Sequence, residues 1–226
     1  MKYVDFVKVM SSARMHRYYV ACGNDSRKAM TLYRKNLQLS QEMFTVISCF
    51  EVALRNKIND QYVLQHGANW IRDSVTPTGF FSSPRCIKTK SIILKAQKNL
   101  AVYTHPKLLS CFDFGFWRYL YAQPQYFAGG QTLLRVFPLK PTSTAFIQYN
   151  QTYIFKQLKL VNDIRNRIAH HEPICFQPGT TNIDTTHTLQ HYNLILQLFQ
   201  WMNINENALL YGLDHVQTLC NEIDSL

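Results

Sequence analysis

An all-α fold is what this sequence predicts, and three observations carry the prediction. Apolar residues recur at spacings of three and four and nowhere alternate strictly over a long run. Turn formers are concentrated in a few intervals, chiefly 23–25, 72–84 and 123–141, leaving long uninterrupted segments between them. At 226 residues and 46% apolar content, the chain is long enough to bury a core without disulfide support.

Taken in order, a first helix fits Tyr3 to Cys22, with Gly23-Asn24-Asp25 as its stop and the next N-cap. A short basic amphipathic helix is expected over 26–36 and a long one over 40–65. In the latter, Phe44, Ile47, Glu51, Leu54, Ile58 and Tyr62 fall on neighbouring turns and Gly67 stands where a terminating glycine belongs, the pattern of a central core helix. The turn-rich stretch 72–84 reads as a loop, and an internal boundary would fall there in what is otherwise a single domain over 1–226. Residues 85–104 predict a basic helix. After His105-Pro106, the run LLSCFDFGFWRYLYA predicts one strongly apolar helix in which Gly115 would permit a close helix crossing. Three prolines and Gly129-Gly130 make 123–141 mostly loop. Thr142 or Ser143 is expected to cap a long helix that runs to His170 or His171 and is stopped by Pro173. Two more helices are expected over 187–203 and 206–224, and no internal repeat is present.

The formal charge of +10 is unevenly distributed. Residues 1–110 hold 17 basic and 6 acidic side chains, whereas residues 111–226 hold 7 and 8. No acidic residue occurs between Asp73 and Asp113, so Lys88, Lys90, Lys95 and Lys98 stand without a nearby carboxylate in sequence. Such a field suits a polyanion, nucleic acid foremost; a basic surface kept for solubility and an anionic membrane surface are the other two explanations. No run approaches the ~18–20 apolar residues of a spanning helix. The N-terminal stretch interrupts its apolar residues with Asp5 and repeated basic residues, unlike a signal peptide, so a cytoplasmic location is expected. Six singly scattered cysteines predict reduced thiols rather than a disulfide framework.

The string VNDIRNRIAHHEP, 161–173, carries the most chemical information. On a helix Asn166 and His170 stack on one face, while Arg165 lies ~140° from His170 with an arm long enough to converge on it. A helix C-terminus favours a protonated imidazole. These residue types suit RNA cleavage without a metal, in which a 2′-hydroxyl loses a proton, a 5′-oxygen gains one, and the phosphorane charge is stabilised. One histidine is a thin inventory for two proton transfers, so a homodimer presenting two copies of His170 is expected. Equally, two histidines before a proline can be a helix cap, with Arg165 and Arg167 as solvated charges. Adjacent His170, His171 and Glu172 do not converge as zinc ligands, and no nucleotide-binding glycine loop or nucleophile elbow occurs. No cofactor is expected.

RNRIAHHEP resembles the R-x4-6-H motif of the HEPN superfamily in its RNxxAHHEP form, and so the bacterial abortive-infection Abi-like proteins. Ser12-Ala13-Arg14, FEVALRNKI at 50–58 and FGFWRYLY at 114–121 agree with that family in order. The resemblance implies an HEPN-type helical bundle with additional helices. It further implies a metal-independent endoribonuclease acting as a toxin or phage-defence effector, dimerising through its core, in some relatives restrained by a noncoding RNA or a protein antitoxin. Carried over by residue, Arg165, Asn166 and His170 are the catalytic set. His171, Glu51, Arg55 and Asn56 support it, with Glu51 and Arg55 spaced to pair. Lys88, Lys90, Lys95 and Lys98 would bind RNA. The alternative is a non-catalytic module that binds a small RNA or a protein. FGFW is expected to be core packing rather than a base-stacking platform.

Overall fold

A computed structural model describes all of residues 1–226, and it is all-α. Twelve helices form: α1 (Tyr3–Met10), α2 (Ser12–Ala21), α3 (Ser26–His66), α4 (Trp70–Asp73), α5 (Ile87–Lys98), α6 (His105–Ser110), α7 (Phe114–Tyr119), α8 (Gln123–Ala128), α9 (Gln151–Ala169), α10 (Thr186–Trp201), α11 (Glu206–Leu209) and α12 (Val216–Asp224). The only β-type pairing is one antiparallel bridge between Phe176 and Ile183. No helix is long and apolar enough to cross a membrane.

Several boundaries differ from those expected, each for a local reason. The expected 3–22 helix is broken at Ser11, which takes φ +72° while its hydroxyl accepts from the Arg14 N–H and so caps α2. The two helices expected over 26–36 and 40–65 are one, because the intervening Leu37-Gln38-Leu39 contains no breaker. α3 ends at Gly67, whose φ of +88° is the left-handed conformation a terminating glycine supplies. The basic helix is shorter than 85–104, running from a 3-10 turn at Pro84–Cys86 to Lys98. The apolar run 108–122 is split because the Asp113 carboxylate accepts from the Phe116 N–H and starts α7 afresh. α9 starts at Gln151 rather than near Thr142, capped by Asn150 Oδ1 accepting from the Tyr153 N–H. Within 123–141, expected as loop, lie α8 and a 3-10 turn at Leu133–Val136. The last expected helix is the short α11 followed by α12.

The chain divides into two compact units, and the turn-rich 72–84 segment lies inside the second rather than between them. The first unit comprises 1–48, 163–196 and 207–226. Its core gathers Met15, Tyr18, Leu32, Tyr33, Ile164, Ile168, Phe176 and Ile223, all buried, and Tyr18 packs against both Tyr33 and Phe176 with ring centroids 5.1 and 5.2 Å apart. Buried Asn36 on α3 accepts from the N–H groups of Ile174 and Cys175 at 2.9 and 3.2 Å, anchoring the loop that follows α9. Asp224 closes the unit by accepting from both the backbone and the hydroxyl of Thr185.

The second unit comprises 49–162 and 197–206. Phe50, Leu54, Ile58 and Tyr62 of α3 are all fully buried in it, with Phe50 edge-on to Phe199 at 5.2 Å and Tyr62 edge-on to Trp70 at 4.7 Å. Phe114 and Trp117 are wholly buried, so FGFW is core packing, as expected. Asn59 Oδ1 accepts from the Trp70 indole at 3.0 Å and lies 2.7 Å from His105 Nε2, while His105 Nδ1 is buried without a partner. Burial holds the His105 pKa below its ordinary value.

Two measurements check this packing. Replacing Asn36 by Ala leaves two buried N–H donors unpaired and is expected to cost about 2–4 kcal/mol in denaturant unfolding; an effect below the error of the measurement would show that the loop anchor carries no weight. Because His105 takes a proton less readily folded than unfolded, stability is full above pH ~6.5, the unfolded pKa. It falls as the pH drops below that value and levels off once the folded pKa is passed. The slope of melting temperature against pH in this window is expected to flatten in His105→Gln.

Candidate RNA-cleavage site at the end of helix α9

α9 presents Ile164 and Ile168 to the core of the first unit, which leaves Asn166 half-buried on the far side of the helix and His170 exposed. Arg165 lies between these faces, half-buried, and its Nε is buried without a hydrogen-bond partner. Arg165, Asn166 and His170 therefore occupy the last two turns of one helix, as the spacing predicted, with the imidazole exposed. The backbone N–H of His170 still closes the helical ladder on the Asn166 carbonyl at 2.9 Å.

The helix ends immediately afterwards in a Schellman turn. The His171 N–H donates to Ile168 O at 2.9 Å, and the Glu172 N–H reaches back to Arg167 O at 2.8 Å. His171 occupies the left-handed position of that turn, φ +56°, where glycine is usual. Pro173 follows and prevents the helix from resuming. Arg167 is committed to this cap: its Nη2 donates to Pro173 O at 2.9 Å, and its Nε lies 3.4 Å from Glu172 Oε2. The cap-like and the chemical explanations of this string thus divide its residues. Arg167, His171, Glu172 and Pro173 terminate the helix, whereas Arg165, Asn166 and His170 have no part in the turn's side-chain contacts.

Residues without an assigned role in the sequence complete the site's support. Arg14 on α2 donates from Nη1 to the His171 carbonyl at 2.8 Å and so braces the end of α9. Arg17, one turn on, lies over the Phe176 ring at 4.4 Å and donates to Thr180 O. The polar loop after Glu172 is thereby held down, and Gln177 N–H to Asn182 O and Asp184 N–H to Cys175 O fold it into a short hairpin. Pairs more than 150 residues apart in sequence, such as Arg14 and His171, leave no periodic signal by which to find them.

The other expected residues lie in the second unit. Glu51 and Arg55 are half-buried on α3, Asn56 is exposed, and Arg55 Nε approaches Asn56 Oδ1 at 3.5 Å. The four lysines of α5 do not make one stripe. Lys88 and Lys95 share a face, Lys98 is ~80° away around the axis, and Lys90, half-buried, is ~160° from Lys88. No three His, Cys, Asp or Glu side chains come together in a group that can hold a metal ion. No family model, curated protein or solved structure matches this chain.

Glycine at position 171 removes the strain of a side chain in the left-handed region. His171→Gly is therefore expected to raise stability by about 0.5–1 kcal/mol in thermal unfolding. A lower melting temperature would mean that the His171 side chain contributes contacts of its own.

Proposed function

We propose that this protein is an endoribonuclease that needs no metal ion, with His170 moving protons and Arg165 binding the scissile phosphate. The observation that carries the proposal is the arrangement of half-buried Arg165 and Asn166 beside the exposed His170 at one helix end, where the Arg165 Nε is buried with no partner inside the protein. A guanidinium not committed to a partner inside the protein is a charged donor group suited to a phosphate. The resemblance of RNRIAHHEP to the HEPN motif supports the same assignment.

The reaction is written as a transesterification. A neutral imidazole takes the 2′-hydroxyl proton as the 2′-oxygen bonds to phosphorus, and an imidazolium protonates the 5′-oxygen as the P–O5′ bond breaks. The products are a 2′,3′-cyclic phosphate and a 5′-hydroxyl. Arg165 neutralises the non-bridging oxygens at the stage of greatest charge, and Asn166, one turn before His170, orients the ring or donates to phosphate. Two imidazoles in opposite protonation states are supplied by His170 of two copies of the chain, so the enzyme is proposed to act as a homodimer. A supporting role for Glu51, Arg55 and Asn56 rests on the family resemblance alone. A role as a toxin or phage-defence effector, restrained by a noncoding RNA or a protein antitoxin, follows from the family resemblance.

A non-catalytic RNA-binding module is the second reading, favoured by the helix cap that accounts for Arg167, His171 and Glu172 structurally. Incubation of RNA with the purified protein in EDTA separates the two. Cleavage to cyclic-phosphate ends is expected, with losses of about 10²-fold or more in His170→Ala and Arg165→Ala. Intact RNA after long incubation, or equal cleavage by His170→Ala, would overturn the ribonuclease proposal.

A further inference from the structure

The second unit contains a pocket of about 540 Å³ that neither the core nor the α9 helix end explains. It opens between α5 and the α6–α7 segment, and its volume falls in the range of small-molecule sites. One wall is aromatic. Phe112 and Phe116, both buried and stacked on each other at 4.1 Å with their planes 21° apart, back the pocket, and Tyr119 contributes its half-exposed ring. Gly115 lies between them: a side chain there would approach Asp113 Oδ1 at 3.3 Å and Asn162 Oδ1 at 3.9 Å. The nearest atoms are side-chain oxygens, and the glycine keeps the space beside them open.

The polar groups of the pocket are few and of two kinds. Lys88, exposed on α5, and Arg118 are its cations, against the single carboxylate of Asp113. The Arg118 guanidinium lies over the Phe155 ring at 4.6 Å, and its Nε is buried without a hydrogen-bond partner. The guanidinium as a whole gives the pocket a charged donor for an anionic oxygen. Asp113 uses Oδ1 to cap α7, leaving Oδ2 as an acceptor, while the Asn162 amide offers both a donor and an acceptor. A flat ring with a hydrogen-bonding edge and an attached anion matches all three features at once.

We propose that this pocket binds one unpaired nucleotide, its base against the half-exposed Tyr119 ring and its phosphate at Lys88 and Arg118. The proposal deepens the assignment of the protein to RNA chemistry and rests on it for the choice of a nucleotide over other aromatic anions. The nucleotide comes either from a single-stranded RNA or from solution. In both cases aromatic stacking and a charge-assisted contact supply the affinity.

Cys111, the one exposed cysteine, lines the same pocket and provides a reporter. Its alkylation rate in the wild-type protein is measured with 5′-AMP, 5′-UMP, adenosine or a short, uncleavable 2′-deoxy-substituted oligonucleotide. Either mononucleotide is expected to slow alkylation saturably, and adenosine, lacking the phosphate, to require about tenfold more. Lys88→Glu is expected to weaken protection about tenfold, and Ile92→Trp, which fills the pocket from a half-exposed position, to abolish it. Protection by the oligonucleotide as well points to RNA as the source; protection by mononucleotides alone points to a free ligand. No protection by any probe, or protection undiminished in a folded Ile92→Trp protein, overturns the proposal. His170→Ala is expected to leave protection intact. Protection in a wild-type protein that never cuts RNA would therefore sink the ribonuclease assignment while leaving the pocket standing.

Discussion

The 41-residue helix α3 contains neither glycine nor proline and buries a side chain at nearly every turn, so each of the two compact units is built on its own stretch of one unbroken rod. Leu32, Leu39, Met43 and Ile47 serve the first unit; Phe50, Leu54, Ile58 and Tyr62 serve the second. A helix of this length, ~60 Å, depends for its stability on tertiary packing along its whole course rather than on propensity. The same rod places Asn36 under the loop that follows α9 and Asn59 beside Trp70 and His105. Interrupting it would release both anchors together with the core.

The end of α9 shows how one short string serves two purposes without conflict. Terminating a helix requires backbone partners for its last carbonyls, and His171, Glu172 and Arg167 meet that requirement. Proposed catalysis requires side chains not already engaged, and Arg165, Asn166 and His170 are those on the adjoining faces. Bracing by Arg14 from α2 and by Asn36 from α3 holds the turn from two other elements, the kind of support a site needs to keep its geometry. The positive half of the chain does not form a single lysine stripe along α5. Its cations are used individually, with Arg14 and Arg17 on backbone carbonyls and Lys88 at a pocket rim.

Where the sequence was legible, short-range physics was in control. Apolar periodicity is a property of one helix and its buried face, so the all-α class, the burial of FGFW and the core positions Ile47, Leu54, Ile58 and Tyr62 of α3 could be read directly; Phe44, which the same spacing put on that face, is exposed, and Phe50 is buried instead. The stop at Gly67 and the end of α9 near Pro173 are likewise local steric effects. Misplaced boundaries arose where two local signals competed. Ser11 and Asp113 sit inside apolar-periodic runs, and their side-chain caps divided helices that periodicity alone would continue. Asn150 displaced Thr142 and Ser143 as the cap of α9 for the same reason.

By itself, then, the sequence determined that the chain is helical, which faces are apolar, and that Arg165, Asn166 and His170 share the final turns of one helix, because residue spacing dictates angle around a helix axis. Tertiary structure alone decided that Arg14 and Asn36 would brace that helix end and that Gly115 would line a pocket. It also decided that the Nε atoms of Arg165 and Arg118 would be buried without partners. Those outcomes depend on which distant segments pack together, and a contact between residues more than 100 positions apart has no periodicity along the chain.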